Sequence, residues 1–263
     1  AAGVAAAYPH PGARLRPPAV DASAPFRRVV YFMRGPPGCG KSTAARWLLG
    51  HHFCDQGLQW RLRPGATAGP LLRAFILSTD DYFTEVDERG APEYRFNPKQ
   101  LSDFHQKNQR RCEVAMELGL TPLVIDNTNT ALWEMREYLK HADRFRYDVR
   151  VVDPEELGPS ALDPEALFSR VGNGAADRAA GKLIPMAVLR RMVANFEEVP
   201  RGGDGAVALG AIREARSPWE GRPPRGPPSG PPPRAQRRRC SGLDVEARAL
   251  AALGTIELGP LFW

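Results

Sequence analysis

The chain has 263 residues, of which 43% are hydrophobic, so it contains enough apolar side chains for a globular core. No apolar run approaches the ~20 residues that a membrane-spanning helix needs, and we predict no membrane segment. The cysteines, Cys39, Cys54, Cys112 and Cys240, show neither metal-ligand spacing nor a paired framework, which favours free thiols in an intracellular compartment, cytoplasmic or nuclear.

The formal net charge of +6 comes from one segment of the chain. Nine Arg residues against three acidic residues fall between Arg201 and Gly242, so the remainder is neutral. A neutral total can still hide a local basic patch. Two interpretations of the basic segment stay open: a solvated arginine-rich tail, or weak electrostatic contact with nucleic acid.

The distribution of Pro and Gly divides the chain into three parts. Residues 1–25 are predicted to form a disordered leader, and residues 200–263 a mostly disordered tail rich in Pro, Gly and Arg. From Pro200 to Gly242 the tail has too few apolar residues to offset the entropy lost on ordering, whereas Leu243–Trp263 regains some and is not assigned a structure. Between them, 26–199 is predicted to fold as one domain, with an inserted loop over 54–73 that shows neither helical nor strand periodicity.

Within this domain, short apolar runs alternate with amphipathic helical patterns. Strands are predicted at 28–33, 74–78, 123–125 and 147–152, and helices at 41–49, 98–118, 132–142 and 185–198. Such alternation is typical of an α/β fold in which helices cover both faces of a parallel sheet.

The loop between the first predicted strand and helix carries a phosphate-binding pattern. It reads Gly35-Pro36-Pro37-Gly38-Cys39-Gly40-Lys41-Ser42, which is Gly, four residues, then Gly-Lys-Ser. In such a P-loop, backbone N–H groups converge on phosphate oxygens, the Lys reaches the β- and γ-phosphates, and the Ser hydroxyl ligates magnesium. We predict that residues 35–43, ending at Thr43, bind ATP, with Lys41 acting on the phosphates and Ser42 ligating Mg²⁺.

Acidic residues follow the next two predicted strands. Asp80 and Asp81 come after the second strand, and Asp126 after the third. Ligands of open parallel sheets lie beyond the carboxyl ends of the strands, so these residues are candidates for the same site. An Asp there accepts a proton from an attacking hydroxyl or holds waters around magnesium. The alternatives are a helix N-cap or solvated turn for Asp80-Asp81 and an Asx-turn for Asp126.

Basic residues precede the last predicted helix, namely Arg170, Arg178 and Lys182. A mobile lid at this point would bring a cation to the charge that develops on the γ-phosphate. Basic residues beside a helix N-terminus more often lie on the surface, which is the alternative for these three. His105, on the apolar stripe of the 98–118 helix, is interpreted as a packed core histidine.

Aromatic residues interleave with arginines after the second strand. They are Tyr82, Phe83, Tyr94 and Phe96, with Arg89 and Arg95 among them. They would flank a nucleotide-like substrate, or pack a loop onto the sheet.

Several motifs occur together in an order that resembles a known family. They are the P-loop, Ser-Thr-Asp-Asp-Tyr-Phe (78–83), Tyr-Arg-Phe-Asn-Pro (94–98), Asn-Gln-Arg-Arg (108–111), Ile-Asp-Asn-Thr-Asn (125–129) and Trp-Glu-Met (133–135). This combination resembles the NEDD-four-binding protein two-like proteins and, more distantly, the kinase domain of phage polynucleotide kinase. The likeness covers about 27–198.

The resemblance implies a three-layer, adenylate-kinase-like P-loop NTPase sandwich and phosphoryl transfer from ATP to the 5′-hydroxyl of a nucleic acid. By motif it implies Asp80 as general base, Asp126 as a second acidic group near the metal, and Arg178 as a lid arginine. The chain departs from the family pattern where Gly174-Ala175 replaces an Arg-Asn pair and where 54–73 is inserted.

Two classes of function therefore stay open. The first is an ATP- and Mg²⁺-dependent kinase acting on a polynucleotide 5′-hydroxyl or a nucleoside; a small-metabolite kinase would share its site and differ in the acceptor. The second is a nucleotide-binding scaffold with vestigial catalysis, whose Pro-rich segment 223–233 recruits SH3 or WW domains.

Overall fold

The structure is a computed structural model that describes residues 15, 27–55, 60–62, 68–86, 92–173, 184–203, 205–220 and 256–258. The predicted leader, apart from Leu15, and most of the predicted tail, including the Pro-rich segment, lie outside these ranges. Within them, no helix is both long and apolar enough to cross a membrane.

The helices and strands follow one another in the alternating order that the sequence predicts. In chain order they are β1 (Val29–Met33), α1 (Lys41–Asp55), β2 (Trp60–Leu62), α2 (Ala68–Phe75), β3 (Ile76–Leu77), a 3₁₀ helix (Thr79–Phe83), β4 (Thr84–Val86), β5 (Pro92–Tyr94), α3 (Leu101–Glu117), β6 (Leu123–Ile125), a second 3₁₀ helix (Leu132–Met135), α4 (Arg136–Phe145), β7 (Asp148–Val152), α5 (Pro154–Leu157), α6 (Pro164–Asn173), α7 (Met186–Ala194), α8 (Leu209–Glu214) and β8 (Ile256–Leu258).

A four-stranded parallel sheet with the order β3-β6-β1-β7 forms the centre of the fold. Strand β1 pairs with both β6 and β7, for example Val30 with Leu123 and with Val149. Because all strands run the same way, their carboxyl ends lie along one edge of the sheet. The loops after β1, β3 and β6 therefore meet there.

Side chains of β1 alternate between two apolar layers. Val30 and Phe32 pack with residues of α3 and α4, whereas Tyr31 and Met33 pack with residues of α1, α6 and α7. Every residue of β1 is buried, as expected for a central parallel strand. Helices thus cover both faces of the sheet, and the predicted three-layer α/β P-loop fold is confirmed.

The predicted insertion over 54–73 contains regular structure. Helix α2 begins at Ala68 and runs to Phe75, so the second strand is only Ile76–Leu77 rather than 74–78. Pro70 lies in the first turn of α2, where its missing N–H removes no intrahelical hydrogen bond. Leu72 and Phe75 are buried, and this tertiary packing outweighs the Gly and Pro content that predicted a loop.

The ordered fold also extends past the predicted boundary at residue 199. Helix α8 packs against α4, and its Ile212 is fully buried in the core. Ion pairs join Arg213 to Asp143 at 2.8 Å and Arg136 to Glu220 at 3.1 Å. The average composition of 200–263 conceals this short apolar stretch, because Pro and Arg after Glu220 dominate the count.

Candidate functional site

The loop between β1 and α1 has a backbone path that requires glycine. Gly35, Gly38 and Gly40 have φ angles of 125°, 83° and 102°, in the region that side chains disfavour. A Cβ on Gly35 would lie 2.7 Å from Cys39 Sγ, and one on Gly38 would lie 2.7 Å from Val171 Cγ2. Gly35 and Gly38 are therefore required for space as well as for conformation.

Lys41 opens helix α1, and its side chain turns back into this loop. Its Nζ donates hydrogen bonds to the carbonyl oxygens of Gly35 at 2.8 Å and Pro36 at 2.9 Å, and the residue is buried. The positive end of the α1 dipole lies at the same place. The loop therefore combines a buried ammonium group with a helix N-terminus, an arrangement that attracts phosphate.

Asp126 follows β6, the neighbour of β1 in the sheet, and this register brings its carboxylate to the start of α1. The Ser42 hydroxyl and the charge of Lys41 both favour the ionised form of the Asp126 carboxylate. Burial raises the pKa of Asp126, although Lys41 and Ser42 oppose the shift. Asp126 Oδ1 is buried and accepts no hydrogen bond from any described residue.

Ser42 and Asp126 together fit a magnesium ion. Both offer hard oxygen donors, and a buried carboxylate oxygen without a hydrogen-bond donor is satisfied by a cation or its bound water. Magnesium beside a nucleotide usually takes only one or two protein ligands. The lack of any His, Cys, Asp and Glu cluster of three or more in the described ranges is therefore compatible with this ion.

Asp80 lies in the 3₁₀ helix that follows β3. Its backbone N–H bonds to Ser78 Oγ at 3.3 Å, and Tyr94 donates its hydroxyl to Asp80 Oδ1 at 3.0 Å. The charge of Asp80 also acts on Asp126 and raises its pKa, as expected for two carboxylates at one site. The structure thus brings Asp80 to the sheet edge that holds Lys41 and Ser42.

Asp81, by contrast, is occupied by a structural ion pair. Arg111 of α3 donates to its Oδ2 at 2.9 Å and also bonds to the carbonyl oxygen of Ile76. Arg73 lies 3.8 Å from the other carboxylate oxygen. These contacts fix α3 against the end of β3, so the two adjacent aspartates have different surroundings.

A buried polar network supports the two acidic loops from behind. Thr79 N–H donates to Asn127 Oδ1 at 3.0 Å, while Asn127 and Asn108 each donate to the Tyr138 hydroxyl, at 3.1 and 3.0 Å. Thr79 Oγ1 also lies 3.2 Å from His105 Nδ1. Burial lowers the pKa of His105 despite the charge of Asp80, which agrees with a neutral, packed histidine.

Arg34, immediately before the loop, is a residue that our sequence reasoning missed. It is fully buried and donates to Asp153 Oδ1 at 2.9 Å, Asn129 O at 3.0 Å and Glu197 O at 2.6 Å. It thereby ties the start of the P-loop to the segments after β6, β7 and α7. The sequence does show a charged residue directly after an apolar strand. The partners of Arg34 could not be inferred, because they lie about 95 or more positions away in the sequence.

Helix α6 lies over the P-loop and presents Arg170 to it. The Arg170 guanidinium donates to Gly38 O at 3.4 Å, and it also bonds to Ser160 Oγ. The other two predicted lid residues, Arg178 and Lys182, lie outside the described residues. Of the three predicted lid cations, Arg170 alone falls within the described ranges, where it contacts the P-loop.

The aromatic residues near Asp80 differ in exposure. Tyr82 and Phe83 are buried, which supports a packing role for them. Tyr94 is partly buried, and Phe96 is 55% exposed. Packing therefore accounts for the first two residues but leaves Phe96 unexplained, while Arg89 lies outside the described residues.

These features define a class of protein. A parallel sheet carries a glycine loop with positive φ angles, a buried Lys41 inside that loop, and a buried aspartate, Asp126, on which Lys41 and Ser42 act. This arrangement is that of a P-loop nucleotide-binding domain, which binds a nucleotide together with a divalent metal.

Comparison with known proteins agrees with the class. Residues 30–199 match the AAA domain family AAA_33, and because the match covers well over half of the chain, the chain belongs to that family. Human NEDD4-binding protein 2 is 34% identical over 127 residues, which are 48% of this chain and 6% of that protein. The family predicted from the motifs is therefore confirmed, although the chain spans only a small part of this relative.

Proposed function

We propose that the chain is an ATP- and Mg²⁺-dependent phosphotransferase that acts on a hydroxyl group, with a polynucleotide 5′-end or a nucleoside as acceptor. The observation that carries the proposal is the convergence of Asp80 with Lys41, Ser42 and Asp126 at one edge of the sheet. A site that only binds a nucleotide needs Lys41, Ser42 and Asp126. A carboxylate beside them suits proton removal from an acceptor.

The P-loop residues would bind the nucleotide. Loop N–H groups and Lys41 would hold the β- and γ-phosphates of ATP, and Ser42 and Asp126 would hold the magnesium ion. Once bound, magnesium neutralises part of the charge on the phosphate oxygens. The Lys41 ammonium would exchange its two loop carbonyl partners for phosphate oxygens.

Asp80 would act on the acceptor. It takes the proton of the attacking hydroxyl as the new O–P bond forms and the bond between the γ-phosphorus and the bridging oxygen breaks, releasing ADP. Tyr94 fixes the orientation of the Asp80 carboxylate through its 3.0 Å hydrogen bond. Burial raises the pKa of Tyr94, so this hydroxyl stays protonated and serves as a donor.

A cation is also needed where charge develops on the γ-phosphate. The family resemblance assigns this role to Arg178. The contact between Arg170 and Gly38 O supports a second contribution, because it brings a guanidinium group to the loop from outside. We therefore propose that Arg170 and Arg178 both stabilise the charge that develops on the γ-phosphate.

A nucleotide-binding scaffold is the second candidate. It is favoured by two sequence features, the Gly174-Ala175 departure and the Pro-rich segment 223–233, which suits SH3 or WW partners. It predicts nucleotide binding without turnover on any hydroxyl acceptor.

The test is transfer of labelled γ-phosphate from ATP to 5′-hydroxyl RNA, 5′-hydroxyl DNA and nucleosides. Labelling should require Lys41 and should be lost in Asp80→Asn, which keeps an oxygen to accept the Tyr94 hydrogen bond. Glu117→Gln, an exposed carboxylate on α3, is the matched control and should transfer normally. Undiminished turnover in Asp80→Asn would disprove the base assignment. ATP binding with every acceptor unlabelled would favour the scaffold.

A further inference from the structure

Strand β7 lies at one edge of the central sheet. It pairs with β1 on one side, and within the described ranges no strand adjoins its other side. An open edge exposes unpaired N–H and C=O groups, and folded proteins usually cover such an edge with a loop or another segment. A further segment is therefore expected to lie beside β7.

A cavity of about 330 Å³ lies along this open edge. Apolar side chains from both layers of the core line it. Val149 and Val207 pack with the layer of α3 and α4, whereas Tyr31, Leu48 and Val152 belong to the layer of α1. The cavity thus passes around the edge of β7 from one layer to the other. Its volume is within the range of about 300–1,000 Å³ that is typical of ligand pockets.

Leu15, the residue of the predicted leader that the structure describes, forms part of the cavity wall. Its surface is only 2% exposed, and it packs in the cluster that contains Tyr31 and Leu48. Those two residues belong to β1 and α1, the elements that the P-loop joins. The burial of an apolar side chain is the main favourable term in docking of this kind. The leader therefore has a buried anchor beside β7.

Charge does not account for this docking. Arg150, Glu156 and Arg201 are the charged residues that line the cavity in the described structure. The Arg201 guanidinium donates to Asp153 Oδ2 at 2.6 Å and lies 4.0 Å from Glu156 Oε1, while Arg150 is exposed to solvent. Since these groups are paired or solvated, the cavity selects its occupant by an apolar side chain.

The leader is close enough to dock within its own molecule. Leu15 lies 12 positions before Arg27, the first residue of the next described range. Twelve residues span at most about 40 Å. Val29 pairs directly with Asp148 of β7, so the required reach is short. A short tether gives the attached segment an effective concentration of about 1 mM. The leader of the same molecule should thus exclude dilute segments of other molecules.

We propose that the cavity beside β7 is a docking site for a short segment that carries one leucine, and that the leader of this chain occupies it through Leu15. The leader is then a ligand of its own domain. This inference does not depend on the proposed phosphotransferase function, because it concerns contacts outside the P-loop.

The experiment uses the full chain together with a fluorescently labelled peptide of residues 8–22. Leu15→Asp places a carboxylate against an apolar wall and is expected to release the leader from the cavity. Fluorescence anisotropy should then give a Kd for the peptide at least about tenfold lower for this variant than for the unchanged protein, whose cavity is already filled. The same peptide carrying Leu15→Asp should bind to neither protein.

Two further variants make the comparison specific. Leu118→Asp introduces the same change at a leucine that is 58% exposed, and this variant should bind the peptide as weakly as the unchanged protein does. Leu15→Ala should lower Tm by at least about 5 °C, whereas Leu118→Ala should change it by less than about 2 °C. Circular dichroism melting curves give these values and establish that each variant is folded. Should Leu15→Asp not fold, Leu15→Ala takes its place in the peptide titration.

Several outcomes overturn the proposal. Equal affinity of the peptide for the Leu15 variant and the unchanged protein would show that the leader does not fill the cavity. A folded Leu15 variant that binds no peptide would assign the cavity to another occupant. Equal Tm values for Leu15→Ala and the unchanged protein would show that Leu15 is not an anchor. An unchanged protein that sediments as a dimer, and a Leu15→Asp variant that sediments as a monomer, would place the leader in the cavity of a second copy.

Discussion

The Ser42 hydroxyl favours the ionised form of the Asp126 carboxylate at the point where the first turn of α1 meets the loop after β6. The two residues are 84 positions apart in the sequence and meet because β1 and β6 pair in parallel. The pair leaves Asp126 Oδ1 without a donor from the described residues, so the group is buried but incompletely satisfied. Its titration should therefore influence stability.

Asp126 is expected to make the stability of the nucleotide-free protein depend on pH. Burial raises the pKa of Asp126 in the folded state, so in the window between the unfolded and folded pKa values the folded protein binds more protons. The free energy of unfolding should fall as the pH rises through this window. In Asp126→Asn this decline should be absent, and the variant should be the more stable protein above the window.

Urea denaturation of both proteins from about pH 4 to about pH 8, without nucleotide or magnesium, measures the effect. If Asp126→Asn is the less stable protein throughout, the attraction between Asp126 and Lys41 outweighs burial and the prediction is wrong.

Gly38→Ala should destabilise the fold more than Gly40→Ala. Both glycines have positive φ angles, but only at Gly38 would a Cβ meet a neighbour closely, whereas at Gly40 no described atom lies within 4 Å. Backbone strain alone costs about 1–2 kcal/mol, and the overlap at Gly38 adds about 1–3 kcal/mol. Thermal melting of the two variants gives the comparison.

A second substitution, in helix α6, can relieve the overlap at Gly38. Val171→Ala removes the Cγ2 atom that a Cβ on Gly38 would approach at 2.7 Å. Combined with Gly38→Ala, it should restore part of the lost stability, although the carbonyl oxygen of Leu167 stays 3.1 Å from the same Cβ. Purely additive effects of the two substitutions would show that α6 does not restrain the loop.

Arg34→Met should lower the free energy of unfolding by about 3–5 kcal/mol, because it leaves the Asp153 carboxylate and three carbonyl groups without their buried donor. Arg201 supplies the matched control. It contacts the other oxygen of Asp153 at 2.6 Å from an exposed position, so Arg201→Met should cost less than about 1 kcal/mol. Urea denaturation gives the free energy of unfolding of both variants. Similar decreases in Arg34→Met and Arg201→Met would contradict the role assigned to the burial of Arg34.

Tyr94→Phe should lower kcat about tenfold while leaving the affinity for ATP unchanged, since it frees the Asp80 carboxylate from its fixed orientation. The control is Tyr147→Phe, which also removes a hydroxyl group. That hydroxyl donates a hydrogen bond to Leu120 O at 2.8 Å and lies outside the site. That variant should lose about 1 kcal/mol of stability and keep its kcat. Equal kcat values for Tyr94→Phe and the unchanged protein would argue against positioning by Tyr94.

The features that could be predicted from the sequence are local ones. The P-loop is readable because its glycines, Lys41 and Ser42 are adjacent, and the sheet edge could be located because acidic residues directly follow short apolar runs. Alternation of strands and helices sufficed for the layer order. These signals need only the spacing of neighbouring residues.

What could not be predicted depends on contacts between distant segments. The adjacent Asp80 and Asp81 are chemically identical in the sequence, and contacts with residues elsewhere in the chain distinguish them: Tyr94 bonds to Asp80, and Arg111 bonds to Asp81. Helix α2 has a Gly and Pro content typical of a loop, yet its buried Leu72 and Phe75 stabilise it. Helix α8 is too short to stand out from the Pro- and Arg-rich residues that follow it.

The position of β1 in the middle of the sheet constrains when the nucleotide site can form during synthesis. The strand next to the P-loop pairs with Leu123–Ile125 and Asp148–Val152, and Arg34 bonds to Glu197, 163 residues later. A nascent chain emerging from the ribosome thus exposes the complete P-loop motif long before any partner strand exists. Nucleotide should bind only after the second half of the domain has been translated, and a fragment ending before β6 should not bind it.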